Sequence, residues 1–293
     1  MANNIALSKN YIGLLDEVYK KASTTTVFNS DASTVRRGAN ANEILVAKLD
    51  MSGLKNYDRN SGYKTGTVNL VWETLKYNYD RGIKFVVDSQ DNEETIELSF
   101  GKLGAEFERT KVVPEGDAFF YATLAGTTGI TVKNGTYTTG EQVLDALRAG
   151  MNQMDEDEVP SESRHLRITP TLLRLAQGVV NYVNKGVLDE FASIEKVPQS
   201  RFYTKITLNN EDDQEDSLKG GYAKAADGEN INFMIIEKSA VIKHDKHIAS
   251  DIIRPEDNQS SDGYMQKYRK YGIVDTYENK LAGIYMDHVK TAK

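Results

Sequence analysis

Residues 67–89 read TVNLVWETLKYNYDRGIKFVVDS, two runs rich in β-branched, aliphatic and aromatic residues that meet at Asp80, Arg81 and Gly82. Runs of this kind around a short Gly-containing break predict a β-hairpin. A strand of about 12 residues covers roughly 40 Å at ~3.3 Å per residue, about twice the usual length, so the ribbon should project beyond a compact body. An isolated pair of strands is only marginally stable in water. Val68, Leu70, Trp72, Phe85 and Val87 would then expose apolar surface that something outside the chain has to cover. The same strands would equally serve inside an ordinary sheet of one subunit, which is the commoner arrangement, and composition alone leaves both open.

On the N-terminal side, residues 1–42 read as an arm: Ile12, Leu15, Val18 and Tyr19 fall at helical spacing and a polar tract follows. Residues 43–49 alternate enough for a strand, and residues 53–66, rich in Gly, Asn and Asp, form a loop. On the C-terminal side a helix begins near Asn92, Glu93 and Glu94 and runs to about Lys111, with Ile96, Phe100, Leu103 and Phe107 in one apolar stripe. Its length is roughly 27 Å at ~1.5 Å per residue. Gly101 and Gly104 lie inside it. They either let the helix bend or admit a close neighbour, and the two readings are even. Pro114, with Glu115 and Asp117 behind it, predicts the start of a second, shorter helix.

The remainder alternates helices and strands. Val143, Leu144, Leu147 and Met151 mark a helix over 141–154, HLRIT a strand, TPTLLRLAQGVVNYVNKGVL helices with a glycine break, and RFYTKITL a strand. INFMIIEKSAVI and GIVDTYENKLAGIYM predict further strands, the second with a turn at Glu278, Asn279 and Lys280. The acidic runs 155–158 and 211–216 lack the alternating ligand spacing of a calcium loop and read as solvated loops.

The 293 residues suffice for one large domain or two ordinary ones, and a 39% hydrophobic share with 27% charged residues suits a folded protein with extensive surface. Acidic residues outnumber basic ones, 43 to 36, for a net charge of -7, which argues against a dedicated nucleic-acid binder. The absence of Cys excludes disulfides, thiolate metal sites and cysteine nucleophiles. The N-terminal residues lack the basic start and apolar run of a secretion signal, and no stretch is apolar for long enough to cross a membrane as a helix. No P-loop, dinucleotide glycine fingerprint or G-x-S-x-G elbow occurs. Of the four His, only His244 and His247 in HDKH are close, and they lack the H-E-x-x-H order; a solvated strand end is expected there. No catalytic, metal or cofactor-binding residue is nominated, and no enzyme activity is expected.

Read together, VWETLKYNYDRGIKFVVDSQDNEET and EFERTKVVPEGDAFFYATLAG resemble the tailed-bacteriophage major capsid protein family, whose fold is the HK-ninety-seven type. KVPQSRF at 196–202, INFMIIEKSAVIKHDK at 231–246 and RPEDNQSSDGYMQKYRKYGIVDTYENKLAGIY at 254–285 extend the match over most of the chain beyond Gly66. The resemblance implies an α+β fold with an N-terminal arm (1–50), an extended E-loop hairpin (51–92), a P-domain with a long spine helix (93–125), an A-domain (126–239) and a return to the P-domain (240–293). It further implies hexamers and pentamers forming an icosahedral shell around double-stranded DNA, with the E-loop over a neighbouring subunit and a spine helix that flexes, here at Gly101 and Gly104, as the shell matures.

Some members of that family carry a fused scaffolding region. This sequence opens on an arm, so a separate scaffolding protein is expected, with a portal and only loose DNA contact beneath a net-negative lining. Other members cross-link a loop Lys to an Asn of another subunit. Lys76 and Lys84 lie on the hairpin, but no matching Asn or carboxylate is found, so no cross-linking is expected. A virion location follows, reached from the host cytoplasm. The rival expectations are a bacterial nanocompartment shell of the same fold and an unrelated mixed α/β enzyme.

Overall fold

Residues 21–30, 36–37, 43–88, 103–179, 186–209, 220–259 and 262–289 are described in a computed structural model of the chain. In order, the strands are β1 (Arg36–Arg37), β2 (Glu43–Met51), β3 (Val68–Lys76), β4 (Tyr79–Asp88), β5 (Thr131–Asn134), β6 (Arg164–Ile168), β7 (Ser193–Lys196), β8 (Ile206–Leu208), β9 (Tyr222–Lys224), β10 (Ile231–Glu237), β11 (Val241–Ile253), β12 (Gly263–Thr276) and β13 (Ile284–His288). The helices are α1 (Leu103–Phe107), α2 (Val113–Gly126), α3 (Gly140–Glu156), α4 (Pro170–Gly178) and α5 (Gly186–Asp189), with a π-helical turn, Glu108–Val112, between the first two.

A five-stranded sheet in the order β5-β13-β10-β6-β7 forms the centre of the body. Every residue of β10 is buried, because both faces of the sheet are covered. Met234 and Ile236 point towards α2 and meet Phe120, Tyr121 and Leu124, together with Phe28 from the N-terminal segment. Phe233 and Ile235 point the other way, into the layer made by Val143, Leu144, Leu147 and Met151 of α3 and by Leu172, Leu173 and Ala176 of α4. Thr139 and Gln142 start α3 with a reciprocal capping box. The helix falls where its apolar spacing predicts.

A second sheet, β11-β12-β4, is long and narrow. A third consists of β1-β2-β3, in which β2 and β3 run antiparallel from Glu43 opposite Lys76 to Met51 opposite Val68.

Here the hairpin expected at 67–89 is corrected: β3 and β4 do not pair with each other. β3 pairs with β2, and β4 pairs with β12, from Tyr79 opposite Gly272 to Asp88 opposite Gly263. The chain crosses between the two sheets at Tyr77 and Asn78, not at Asp80 to Gly82. Asn78 completes the crossing with its side chain, whose amide nitrogen donates to the carbonyl of Val274 at 2.7 Å and whose amide oxygen accepts the Val274 N–H at 3.1 Å. Gly82 is inside β4 for a different reason than a turn. A Cβ there would lie 2.9 Å from the carbonyl oxygen of Tyr268, so the residue admits a neighbouring backbone.

The second correction concerns Pro114. Helical backbone angles persist through Phe107, Val112 and Val113, so Pro114 does not begin a separate helix. Proline removes the N–H that the fourth preceding carbonyl would accept, and its ring crowds that carbonyl. The helix widens instead: the Val113 N–H donates to Glu108 O, five residues back, and the π-turn absorbs the proline. HDKH is likewise not a strand end. It lies inside β11, at a bulge between Asp245 and His247.

RFYTKITL contributes only the short strand β8, with Gln199–Arg201 forming a 3-10 turn. β2 and β3 form one ribbon across residue 50, and β13, from the last segment, lies between β5 and β10 in the central sheet. The arm residues 1–20, the acidic run 211–216, and Ile96, Phe100 and Gly101 lie outside the described residues, as do the side chains of Val87 and Leu103.

Candidate inter-subunit interface

The β2–β3 ribbon has two chemically distinct faces, set by the cross-strand pairing. Ala47 stands opposite Trp72, Leu49 opposite Leu70 and Met51 opposite Val68, so these six side chains share one face. That face is apolar and open. Val68 is 72% exposed, Met51 60%, Leu70 54%, Leu49 49% and Trp72 44%. Beyond it, Leu54, Tyr57 and Tyr63 are exposed at the tip, where Tyr57 and Tyr63 meet edge to face at 5.0 Å.

The opposite face carries Lys48, Asp50, Asn69 and Glu73, and at its root Ile44 and Leu75 are buried against Ile242 and Ile273 of the β11–β12 pair. Among the described residues, it is the root that the chain itself shelters. An apolar stripe of this length on a two-stranded ribbon is unusual for a surface that water alone is meant to cover.

The residues nominated from the sequence separate accordingly. Val68, Leu70 and Trp72 lie together on the open face. Phe85 does not join them: it is half-buried on β4, its ring 4.9 Å from that of Phe107 on α1, and Phe107 also meets Tyr268 of β12 at 5.8 Å. Phe107 thus packs the helix onto the β4–β12 pair. Gly104, one turn earlier, faces Gln266. A Cβ at Gly104 would lie 2.3 Å from the Gln266 side-chain nitrogen, so at this position the glycine accommodates a close neighbour.

Two buried ionic centres were not legible in the sequence. Asp117, expected only to favour a helix start, is 1% exposed and anchors the segment Ser23, Thr24 and Thr25. Its Oδ1 accepts from the hydroxyls of Ser23 and Thr25, both at 2.8 Å, and its Oδ2 accepts the Thr24 N–H at 2.9 Å and the Arg201 guanidinium at 3.0 Å. Arg201, 2% exposed, also donates to the carbonyl of Lys21 at 2.8 Å. Lys243 donates to the Thr25 hydroxyl at 2.8 Å, and burial pulls its ammonium down to about 8.

The second centre joins Arg81 of β4 to Glu115 of α2 at 2.8 Å. Tyr79 donates to the same carboxylate oxygen at 3.0 Å, and burial pushes its phenol well above its ordinary value. A further Arg81 nitrogen donates to the carbonyl of Asn209 at 2.9 Å. The only advance signal was the PEGD run at 114–117, in which both acids look like helix-start residues.

No family model and no curated protein matches the chain. Solved structures do. The chain superposes on one from Mycobacterium phage Che8 with a TM-score of 0.63 at 13% identity, covering 98% of each chain. It superposes on the asymmetric unit of the bacteriophage PhiM1 mature capsid with a TM-score of 0.66 at 11% identity, covering 98% of this chain and 93% of that one. For the virus-like particle from Pyrococcus furiosus the TM-score is 0.52 at 10% identity, with 81% of this chain and 85% of that one covered. At such identities the likeness resides in the fold, and over nearly its whole length the chain has the mixed α and β capsid fold that the sequence resemblance implied.

Proposed function

We propose that this chain is the major capsid protein of a tailed phage, tiling with copies of itself into a shell that encloses double-stranded DNA. The open apolar face of the β2–β3 ribbon carries this reading, since a second subunit supplies the cover that the described residues of the ribbon's own chain leave off Leu49, Met51, Val68 and Leu70. Residues 43–76 then form the E-loop, a boundary revised from 51–92. The α1–α2 helix with the β11-β12-β4 sheet forms the P-domain, and the central sheet with α3 and α4 the A-domain.

Magnitudes favour many weak contacts over one strong one. Leu49, Met51, Val68 and Leu70 are 49–72% exposed, so burying what remains open contributes on the order of 3–7 kcal/mol, at about 1.5–3 kcal/mol for a whole side chain. Immobilising two subunits costs about 4–15 kcal/mol, so a single ribbon contact holds weakly and a closed shell holds firmly. Hexamers and pentamers, a separate scaffolding protein, a portal and loose contact with DNA complete the proposal. The nanocompartment alternative draws less support, its structural likeness being weaker and covering less of the chain.

The test pairs electron microscopy with circular dichroism on Leu49→Asp with Leu70→Asp. Folded subunits whose shell yield falls by about tenfold or more are expected. Normal shells from the double variant would overturn the reading.

A further inference from the structure

At the root of the ribbon, one ammonium shares a cleft with carboxylates from three elements. Lys48 of β2 pairs with Glu278 of the 3-10 turn Glu278–Gly283. Glu73 of β3, on the same ribbon face as Lys48, and Asp275 near the end of β12 line the same cleft of about 530 Å³ between the ribbon and the body. Arg36 and Arg37 of β1 stand opposite Leu45 and Ile44 of β2. Asp50 lies further along β2, and Tyr277 and Lys280 belong to the turn, where Lys280 is held by Ser239. Among the described residues that line the cleft, three are acids and one is a base.

We infer that this cluster is a pH-operated latch on the ribbon: with Glu73 and Asp275 protonated, the root closes on the body through Lys48 and Glu278, and with all three acids charged it loosens. The order of titration follows from the surroundings. Burial raises Glu73, and the neighbouring charge of Glu278 raises it further. Burial also raises Asp275. Glu278 is lowered by its hydrogen bond from Lys48. As pH falls, Glu73 therefore takes up a proton before Glu278 does, and the Lys48–Glu278 pair outlasts its charge.

The sign follows directly. An acid whose pKa is raised in the closed state disfavours that state when charged, so closure gains as pH drops through the raised value. In strong acid Glu278 is protonated as well and the pair is lost, which makes the latch tightest at mildly acidic pH.

The latch does not depend on shell formation, so it is tested on the full chain at dilution, with light scattering to verify that subunits are unassembled. Trp72 is the single tryptophan, next to Glu73 in sequence, and reports the ribbon's motion through its anisotropy. Between the ordinary carboxylate range, about pH 4.5, and pH 8, corrected amide exchange across 43–51 and 68–76 should rise roughly tenfold while Trp72 anisotropy falls. Glu73→Gln should stay closed over that range with less than about a twofold change, and Asp275→Asn should give a partial response. Lys48→Met should be loose throughout. A flat wild-type profile, or a Glu73→Gln profile that follows the wild type, would overturn the latch while leaving the shell proposal untouched.

Discussion

Asp117 is a single carboxylate on which three separate parts of the chain converge: the Ser23–Thr25 stretch, helix α2 and Arg201. Removing one member of a buried pair leaves the other charged and uncompensated, at a typical cost of about 3–5 kcal/mol. Asp117→Ala should lose that much in urea unfolding and release the segment around Thr24 to proteolysis, whereas Glu106→Ala, which removes a half-exposed pair with Arg109, should cost under about 1 kcal/mol. Lys243 makes a separate prediction in pH. Its lowered value means that the folded state sheds a proton, from about 8 upwards, that the unfolded state keeps to near 10.5. Stability should therefore rise with pH across that interval, by at most about 1.4 kcal/mol per pH unit, and Lys243→Met should flatten the rise in unfolding midpoints measured from about pH 7 to pH 10. Neither residue stood out in the sequence, because an Asp after Pro-Glu-Gly suits any helix start and a lysine in a strand suits any surface. Their burial depends on elements about 80 to 220 positions away.

Helices and strands whose partners lie within one apolar period were legible, as α3 illustrates. Strands whose partners come from far along the chain were not. β4 pairs with a strand some 190 residues later, and the Asp80-Arg81-Gly82 break that suggested a turn marks that close approach. The π-turn was hidden for a different reason: a proline usually announces a start, and only tertiary packing kept both flanking helices in one line. Its presence has a testable consequence. Compared with a regular helix the π-turn holds one extra residue, so deleting Lys111 in a Pro114→Ala background should restore unbroken α-helix and keep Phe107 on Phe85. The expected change is within about 1 kcal/mol in denaturant unfolding. Deleting Ala122 in the same background rotates one flank by about 100° relative to the other and should unfold the protein.

Across the whole molecule, the order and spacing of segments beyond Gly66 carried the fold, even though the pairing inside the ribbon was misassigned. The apolar residues at 68, 70 and 72 were open as expected, with their true partners in the 43–51 run. Net charge adds a prediction at this scale. Subunits bearing -7 repel one another, so the protein concentration at which light scattering reports shells should fall several-fold as salt rises from about 0.05 to 0.5 M. An assembly threshold indifferent to salt would place the decisive contacts away from charge. The crossing at Tyr77 and Asn78 has a mechanical meaning. It fixes one end of an outrigger about 30 Å long, so a swing of about 10° at that pivot carries the far end about 5 Å sideways. In the proposed shell, copies meeting at slightly different curvatures would absorb the mismatch there, with the central sheet undisturbed.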